Sequence, residues 1–236
     1  MPDRDRPLYA VLIDADNIPA KFASAILKEI TSFGEPALRR VYGDWSSDRL
    51  NSWSKVVRDL GLVAHQETAN TKGKNASDIG LVIDAMDILH TGRFDGFVLV
   101  SSDSDFTALA NRIREQGMDV IGIGESKAPE SLRNVCNRFV LIENIIDEPT
   151  PTSGGKAPPG KAPVSDAIPL ILRAMEKIPQ DGEWYALGQL GQYIVADNPD
   201  FDTRTYGKPK LSDLVKDIKR FETRKSGNHL ELRRTD

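Results

Sequence analysis

Cysteine is nearly absent from this chain of 236 residues, in which Cys136 is the single example. One cysteine excludes an intramolecular disulfide and a cysteine-rich zinc cluster. Long apolar runs are also missing, since no stretch approaches the roughly 20 residues that a membrane-spanning helix needs. The N-terminal residues MPDRDRP lack the apolar core of a signal peptide. These absences favour a reduced, cytoplasmic protein that does not enter a membrane.

The chain also lacks an overall excess of positive charge, because 31 Lys and Arg face 35 Asp and Glu, a formal net charge of −4. Residues 1–147 hold 17 basic against 22 acidic residues, a net of −5, and the remainder holds 14 against 13, a net of +1. Residues 204–225 carry eight basic and three acidic side chains. A polyanionic partner would therefore have to meet local basic surfaces.

Residues 1–147 alternate short apolar runs with longer helical patterns. The predicted strands are 9–13, 38–42, 62–65, 96–100, 120–123 and 139–141, and the predicted helices are 19–32, 47–60, 77–90, 105–116 and 129–135. Glycines expected to end helices in the left-handed conformation follow four of these helices: Gly34, Gly61, Gly92 and Gly117. The alternation predicts an α/β fold with a Rossmann-like parallel sheet, order 3-2-1-4-5, and helices on both faces.

A second, smaller domain follows an extended linker. Residues 148–164 contain five prolines and three glycines and predict a tether. Residues 165–236 then show three helical patterns, beginning at Ser165, near Leu187 and at Lys210, the last being basic and running to Arg220. A terminal hairpin from Phe221 to Arg233 completes the outline of a winged helix-turn-helix.

Two acidic signatures follow predicted strands in the first domain. Asp14-Ala15-Asp16-Asn17 ends the first strand, and Asp103-Ser104-Asp105-Phe106 comes just after the fourth. In the 3-2-1-4-5 order these strands are neighbours about 4.8 Å apart, so their carboxylates would meet where ligands bind in doubly wound sheets. Clustered carboxylates repel one another because they carry like charges, and a hard divalent cation bound between them removes this repulsion.

Asp78 could add a third arm to this site. Asp78 lies in the first turn of the predicted helix 77–90, where the helix dipole favours an acidic residue. Taken alone, Asp78 is therefore explained equally well by stabilisation of the helix end and by a catalytic role. Asp84 and Asp87, deeper in that helix, are expected to face solvent or to pair with basic residues.

Other chemistries fit less well. Asp14-x-Asp16 resembles a phosphatase signature that places Thr or Val where Ile18 stands, and the later acidic signature departs from the phosphatase pattern too. The glycines at 122 and 124 lack the third glycine of a dinucleotide fingerprint. The histidines are too scattered for a zinc site, and no Ser/His/Asp arrangement stands out.

With these residues assembled, residues 8–146 resemble the NYN domains, a branch of the PIN-like nuclease superfamily that includes the bacterial LabA-type proteins. The resemblance is carried by Ile13-Asp14-x-Asp16-Asn17, by Lys72-x-Lys74-x-x-x-Asp78, and by Ser101-x-Asp103-x-Asp105-Phe106 followed by Gly117-x-x-Val120. It implies a PIN-type sheet and an endoribonuclease dependent on Mg²⁺ or Mn²⁺.

Residues 165–233 resemble an OST-HTH domain, also called LOTUS. The residues that carry this resemblance are Trp184, Leu187, Leu190, Pro199-x-Phe201-Asp202, Tyr206-Gly207, Lys210-Leu211 and the terminal hairpin. The pairing with an NYN domain is familiar, and it implies that an RNA-binding module is attached to the nuclease.

The resemblance also implies site residues. The metal ligands matched by position are Asp14, Asp78, Asp103 and Asp105, and Asn17 joins them as a catalytic residue that positions a ligand or water. Asp16 is left out because its side chain suits capping of the following turn. The basic residues expected to hold RNA are Lys72, Lys74, Arg39, Arg40, Lys208, Lys210 and Lys216.

Aromatic side chains offer possible stacking surfaces for bases. Trp45 is a candidate, whereas Trp53 is expected to pack against a helix, and Trp184 and Tyr185 are expected to belong to the winged-helix core.

Two alternatives remain open at this point. The chain could be a non-catalytic RNA-binding adaptor with the same two domains, and the OST-HTH domain could bind a protein. The oligomeric state, the RNA target and the number of metal ions are not determined by the sequence.

Overall fold

The computed structural model of the protein describes residues 5–46, 48–66, 76–146, 161–180, 182–227 and 229–235. The chain divides into two compact units, Met1–Ile146 and Asp147–Asp236. Most of the expected linker 148–164 lies outside the described residues, but Ala162 and Val164 already pack against the core of the second unit. The domain limits given above stay a prediction.

The first unit alternates strands and helices as expected. Its strands are β1 (Leu8–Asp14), β2 (Glu35–Gly43), β3 (Val63–Gln66), β4 (Gly96–Val100), β5 (Asp119–Gly124) and β6 (Arg138–Leu141). Its helices are α1 (Ala23–Phe33), α2 (Asn51–Asp59), α3 (Ala76–His90), α4 (Thr107–Glu115), α5 (Glu130–Val135) and α6 (Ile142–Ile146).

The six strands form one sheet in the order β3-β2-β1-β4-β5-β6, and every neighbouring pair is parallel. The predicted order is confirmed, with β6 added outside β5. Side chains of β1 alternate between two cores: Ala10 and Leu12 pack with helices α3, α4 and α5, and Val11 and Ile13 pack with α1, α2 and α6. A central parallel strand is apolar on both faces for this reason.

Glycine has different roles at the ends of these helices. Gly61, Gly92 and Gly117 take the predicted left-handed conformation, with φ of 62°, 61° and 77°. Gly34 does not, because its φ of 179° is extended. The reason for glycine there is space, since a Cβ would lie 2.4 Å from the backbone oxygen of Pro7.

In its described residues, the second unit contains three α-helices and a small antiparallel sheet. Its elements are α7 (Ile168–Lys177), β7 (Tyr185–Ala186), α8 (Leu187–Asp197), α9 (Leu211–Lys216), β8 (Phe221–Ser226) and β9 (His229–Arg234). The sheet order is β7-β9-β8. The terminal hairpin is confirmed, whereas the third helix is shorter than expected because it ends before Asp217. None of the described helices has both the length and the apolar character needed to cross a membrane.

Candidate functional site

The two acidic signatures meet at the carboxyl edge of the sheet. Strands β1 and β4 are parallel neighbours, and their register pairs Ile13 with Val100. Asp14 therefore leaves β1 at the same level at which Ser101 leaves β4. The predicted adjacency of the two signatures is confirmed, and it follows from the reversal of strand order between β1 and β4.

The carboxylate of Asp14 is buried at the base of this edge, where only 3% of the residue is exposed. Its Oδ1 accepts hydrogen bonds from the backbone N–H groups of Asp16 at 3.1 Å and Asn17 at 3.2 Å. Its Oδ2 accepts a hydrogen bond from the Ser101 hydroxyl at 2.9 Å. Asp14, rather than Asp16 as expected, therefore closes the turn after β1.

Asn17 connects the two signatures. Its side-chain oxygen accepts a hydrogen bond from the backbone N–H of Ser102 at 3.0 Å. On the other loop, the Ser101 hydroxyl accepts from the N–H of Asp103 at 3.1 Å, and Asp103 accepts from the N–H of Asp105 at 2.9 Å. These bonds fix the loop after β4 against the loop after β1, so the position of Asn17 is that of a brace between the two loops.

Three carboxylates converge at this edge of the sheet. Asp78 from the first turn of α3, and Asp103 and Asp105 from the loop after β4, each offer an oxygen within 4.8 Å of the others. Asp105 is exposed, and the other two are partly buried. Asp14 lies outside this group of three, but its charge and that of Asp78 act on each other.

The electrostatics of the site penalise its negative charge. Burial raises the pKa of Asp14 to about 6; the hydrogen bond from Ser101 opposes this rise, and the charge of Asp78 adds to it. Burial also raises the pKa of Asp78, with further contributions from the charges of Asp103 and Asp105. An all-oxygen donor set whose members repel one another fits a hard divalent cation such as Mg²⁺ or Mn²⁺, which would remove this repulsion.

Two charged residues near the site are not among the predicted site residues: Asp16, which belongs to the first acidic signature, and Arg49. Asp16 is exposed, and its charge contributes to the raised pKa of Asp78. The guanidinium of Arg49, which is largely exposed, lies 4.0 Å from Oδ1 of Asp16. A single arginine in a 3-10 helical turn carries no sequence signal, and only the contact with Asp16 places Arg49 beside the acidic edge.

A second polar network lies in the interface between α3 and the sheet. Asp84 accepts hydrogen bonds from Arg40 and from the Tyr42 hydroxyl, and Nδ1 of His65 lies 3.9 Å from its Oδ2. Burial alone would raise the pKa of Asp84, but the hydrogen bonds from Arg40 and Tyr42 outweigh it and the pKa is lowered. This network fixes α3 on β2, and therefore also the helix that carries Asp78.

The expected RNA-binding residues of the first unit differ in whether the structure describes them and in whether a carboxylate pairs with their charge. Lys72 and Lys74 lie outside the described residues. The charge of Arg40 is matched by Asp84, and its side chain is 27% exposed. Arg39 donates a hydrogen bond to the backbone oxygen of Leu60 at 3.4 Å. Because a carbonyl group is neutral, this bond does not neutralise the positive charge of Arg39.

In the second unit, Lys208 forms an ion pair with Asp217, whereas Lys210 and Lys216, at the two ends of α9, are exposed. The basic character of this region is therefore partly balanced within the unit. Lys210 and Lys216 stay predicted RNA contacts.

The tryptophans of the first unit are held by hydrogen bonds to the backbone. Trp53 is buried and its indole N–H donates to the backbone oxygen of Ile18 at 2.9 Å, so it is a core residue as expected. Trp45 is half-buried and donates to the backbone oxygen of His65 at 2.8 Å.

Trp184 lies at the surface of the small sheet rather than inside the second core. The guanidinium groups of Arg224 and Arg233 lie over its ring, 4.2 Å and 4.8 Å from the centroid. Arg224 also pairs with Glu231, and Arg233 with Glu222. The positive charge on this face is thus balanced by carboxylates, while Tyr185 packs against the second core as expected.

Comparison with protein families identifies both units. Residues 9–143 match the NYN domain, and residues 161–231 match the OST-HTH/LOTUS domain. The NYN match covers more than half of the chain and includes every acidic residue of the site described above. No curated protein is similar enough to this chain to count as a match.

One solved structure shares the fold of a large part of this chain. A protein of unknown function from Vibrio parahaemolyticus is 20% identical, with a TM-score of 0.51, over 63% of this chain and 98% of its own. An uncharacterized protein from Nitrosomonas europaea is 34% identical over 37% of this chain and 88% of its own, with a TM-score of 0.29. The first likeness supports the fold alone.

Proposed function

Since the chain belongs to the NYN domain family, we propose that it is an endoribonuclease that hydrolyses RNA phosphodiester bonds with the help of Mg²⁺ or Mn²⁺. The observation that carries the proposal is the convergence of Asp78, Asp103 and Asp105, whose carboxylate oxygens lie within 4.8 Å of one another. NYN domains belong to the PIN-like nuclease superfamily, and acidic sites of this kind act on phosphates through a metal ion.

The proposed roles follow from the geometry. Asp78, Asp103 and Asp105 hold the cation, which when bound activates a water and offsets charge on the phosphate. Asp14 is buried, and its two oxygens are engaged by Ser101 and by the turn after β1. Its charge acts on that of Asp78 and so contributes negative charge that favours a cation. Asn17 keeps the loop of Asp103 in place through its bond to Ser102.

RNA is the proposed substrate because the chain carries an OST-HTH/LOTUS domain, a type of domain known for RNA binding. The exposed Lys210 and Lys216 are the proposed contacts of this domain. Action in the cytoplasm is part of the same proposal.

Cleavage of labelled RNA by the full chain tests this function. We expect cleavage with Mn²⁺ or Mg²⁺ and none with EDTA, and weaker cleavage of DNA of the same sequence. Asp103→Asn and Asp78→Asn should each lower the rate by about 100-fold or more, because loss of even an outer-shell partner of a metal ligand costs about 10- to 100-fold. Asp59→Asn, an exposed carboxylate at the end of α2, is the matched control and should leave the rate unchanged.

RNA binding in EDTA, measured in parallel, separates the alternatives. Binding without cleavage by any metal would refute the nuclease and support the non-catalytic adaptor. Hydrolysis of a generic phosphate ester that depends on Asp14, without cleavage of RNA, would instead support a phosphatase.

A further inference from the structure

A groove of about 420 Å³ lies at the free edge of the large sheet, away from the carboxylates. We call it the β3-edge groove, and it is lined by three arginines and by apolar side chains, among them Arg39, Arg40, Arg93, Leu38, Val63 and Phe94. It belongs to the first unit alone, and it is separate from the acidic residues of the proposed reaction.

The groove exists because β3 is shorter than its neighbour. The register of β3 on β2 begins with Val63 opposite Arg40, whereas β2 starts at Glu35. Residues 35–39 of β2 therefore extend past the start of β3. The C-terminal part of α3 and the segment leading to β4 contribute Ile88, Thr91, Arg93 and Phe94 to the wall.

The groove carries an excess of positive charge in a unit that is acidic overall. Arg40 is matched by Asp84. Among the described residues, neither Arg39 nor Arg93 forms an ion pair: Arg39 donates to the Leu60 carbonyl, and Arg93 is exposed. Two guanidinium charges thus remain for an anion, and guanidinium groups are well suited to phosphate because their N–H donors match its oxygens.

The apolar side chains of the groove indicate that its ligand has an apolar or planar part in addition to an anionic group. Val63 is 55% exposed and lines the groove together with the arginines, so the groove offers an apolar surface beside its positive charge. A ribose or base could cover Val63, and the arginine planes can also stack on bases. Phosphate next to an apolar or planar group is the chemistry of a nucleotide within a strand.

We propose that the β3-edge groove binds the RNA strand outside the scissile phosphate, through Arg39 and Arg93. This inference rests on the proposed function in taking RNA as the ligand. The register places Arg39 beside Val11, three residues before Asp14, and so about 10 Å from it along the strand direction. Arg93 precedes Gly96, which pairs with Tyr9, five residues before Asp14, and so lies more than about 16 Å from Asp14 along the strand direction. A strand longer than a dinucleotide is therefore needed to occupy both the acidic site and the whole groove.

Salt-dependent binding provides the test. The full chain is titrated with a labelled single-stranded RNA of about 20 nucleotides in EDTA, at several salt concentrations, as the wild type and as Arg39→Gln/Arg93→Gln. Removing one guanidinium that neutralises a phosphate lowers the slope of log K against log salt by about 0.7 for single strands, so a decrease of about 1.4 is expected. Arg112→Gln removes the same charge from the exposed face of α4 and is the matched control, with an unchanged slope.

The length of the RNA gives a second readout. In the presence of Mn²⁺, the double variant should raise KM for the long RNA several-fold and leave cleavage of a dinucleotide unchanged. If the double variant does not fold, Arg93→Gln alone, at an exposed position, should lower the slope by about 0.7.

The outcomes distinguish the groove from the catalytic site. An unchanged slope in a folded variant would refute the groove proposal even if RNA is cleaved. A lowered slope in a protein that cleaves nothing would support the groove and refute the nuclease. Binding of free AMP that is lost in the variant, with no change in the RNA slope, would overturn the assignment to an RNA strand and identify a mononucleotide site instead.

Discussion

Replacing Asp14 by asparagine should stabilise the metal-free protein at neutral pH while impairing the proposed reaction. Burial raises the pKa of Asp14 to about 6, above the value of about 3.9 for an unperturbed aspartate. Because the folded pKa is the higher one, the favourable contribution of the carboxyl group to folding is fully present below about pH 4 and is lost as the pH rises past 6.

The magnitude follows from this difference in pKa. One pKa unit corresponds to about 1.4 kcal/mol, so ionised Asp14 lowers the free energy of unfolding by about 3 kcal/mol above pH 7. Asparagine removes the charge but keeps the shape. Its oxygen can accept from Asp16 and Asn17 as Oδ1 of Asp14 does, and its amide can donate to the Ser101 hydroxyl. We therefore expect a gain of about 1–3 kcal/mol at pH 7.5 that shrinks towards zero near pH 4.

Urea unfolding in EDTA at several pH values measures this effect. Trp45 and Trp53 lie in the first unit and Trp184 in the second, so a Trp184→Phe background restricts tryptophan fluorescence to the first unit. Asp59→Asn is the control and should change stability by less than about 0.5 kcal/mol at every pH. A variant no more stable than the wild type at pH 7.5, or a gain that does not depend on pH, would refute the reasoning.

Two further predictions concern glycine and a buried aspartate. Gly124→Ala should destabilise the first unit by about 1–3 kcal/mol and lower RNA cleavage, because the added Cβ would lie 2.6 Å from the backbone oxygen of Ser101. Gly188→Ala is the control, because a Cβ there would meet nothing within 4 Å. Equal stability of the two variants would contradict the prediction. Asp202→Ala should lower the free energy of unfolding of the second unit by about 2–4 kcal/mol. The reason is that buried Asp202 accepts a hydrogen bond from the N–H of Arg204 at 2.8 Å and forms an ion pair with the Arg204 guanidinium. Calorimetry of the full chain measures this loss, and a value below about 0.5 kcal/mol would contradict the prediction.

The sequence predicted the arrangement of the acidic edge because that arrangement depends on strand order. Asp14 and Asp103 each follow an apolar strand, and a doubly wound sheet makes those strands neighbours. It could not predict the second partner of the Asp14 carboxylate, because the Ser101 hydroxyl that donates to its Oδ2 comes from a position 87 residues further along the chain. The pairing of Arg40 with Asp84 was equally hidden, because the register of α3 on β2 sets it.

The β3-edge groove shows the same limit. Arg39 and Arg40 were predicted to bind RNA from charge alone. All three arginines of the groove line it, but the structure separates Arg40 from Arg39, because Asp84 matches the charge of Arg40, whereas Arg39 forms no ion pair with any described residue. The start of β3 at Val63 opposite Arg40 creates that space, and strand ends are set by tertiary pairing rather than by local preference.

The sequence by itself determined the alternating fold, the two domains' family resemblance and the acidic residues at the strand ends, because these depend on local pattern and on the order of elements along the chain. Only the tertiary structure decided that buried Asp14 differs from the converging Asp78, Asp103 and Asp105. The physical reason is that the ionisation of a carboxylate depends on its burial, its hydrogen-bond donors and its neighbouring charges. All three come from elements distant in sequence, which only folding brings together.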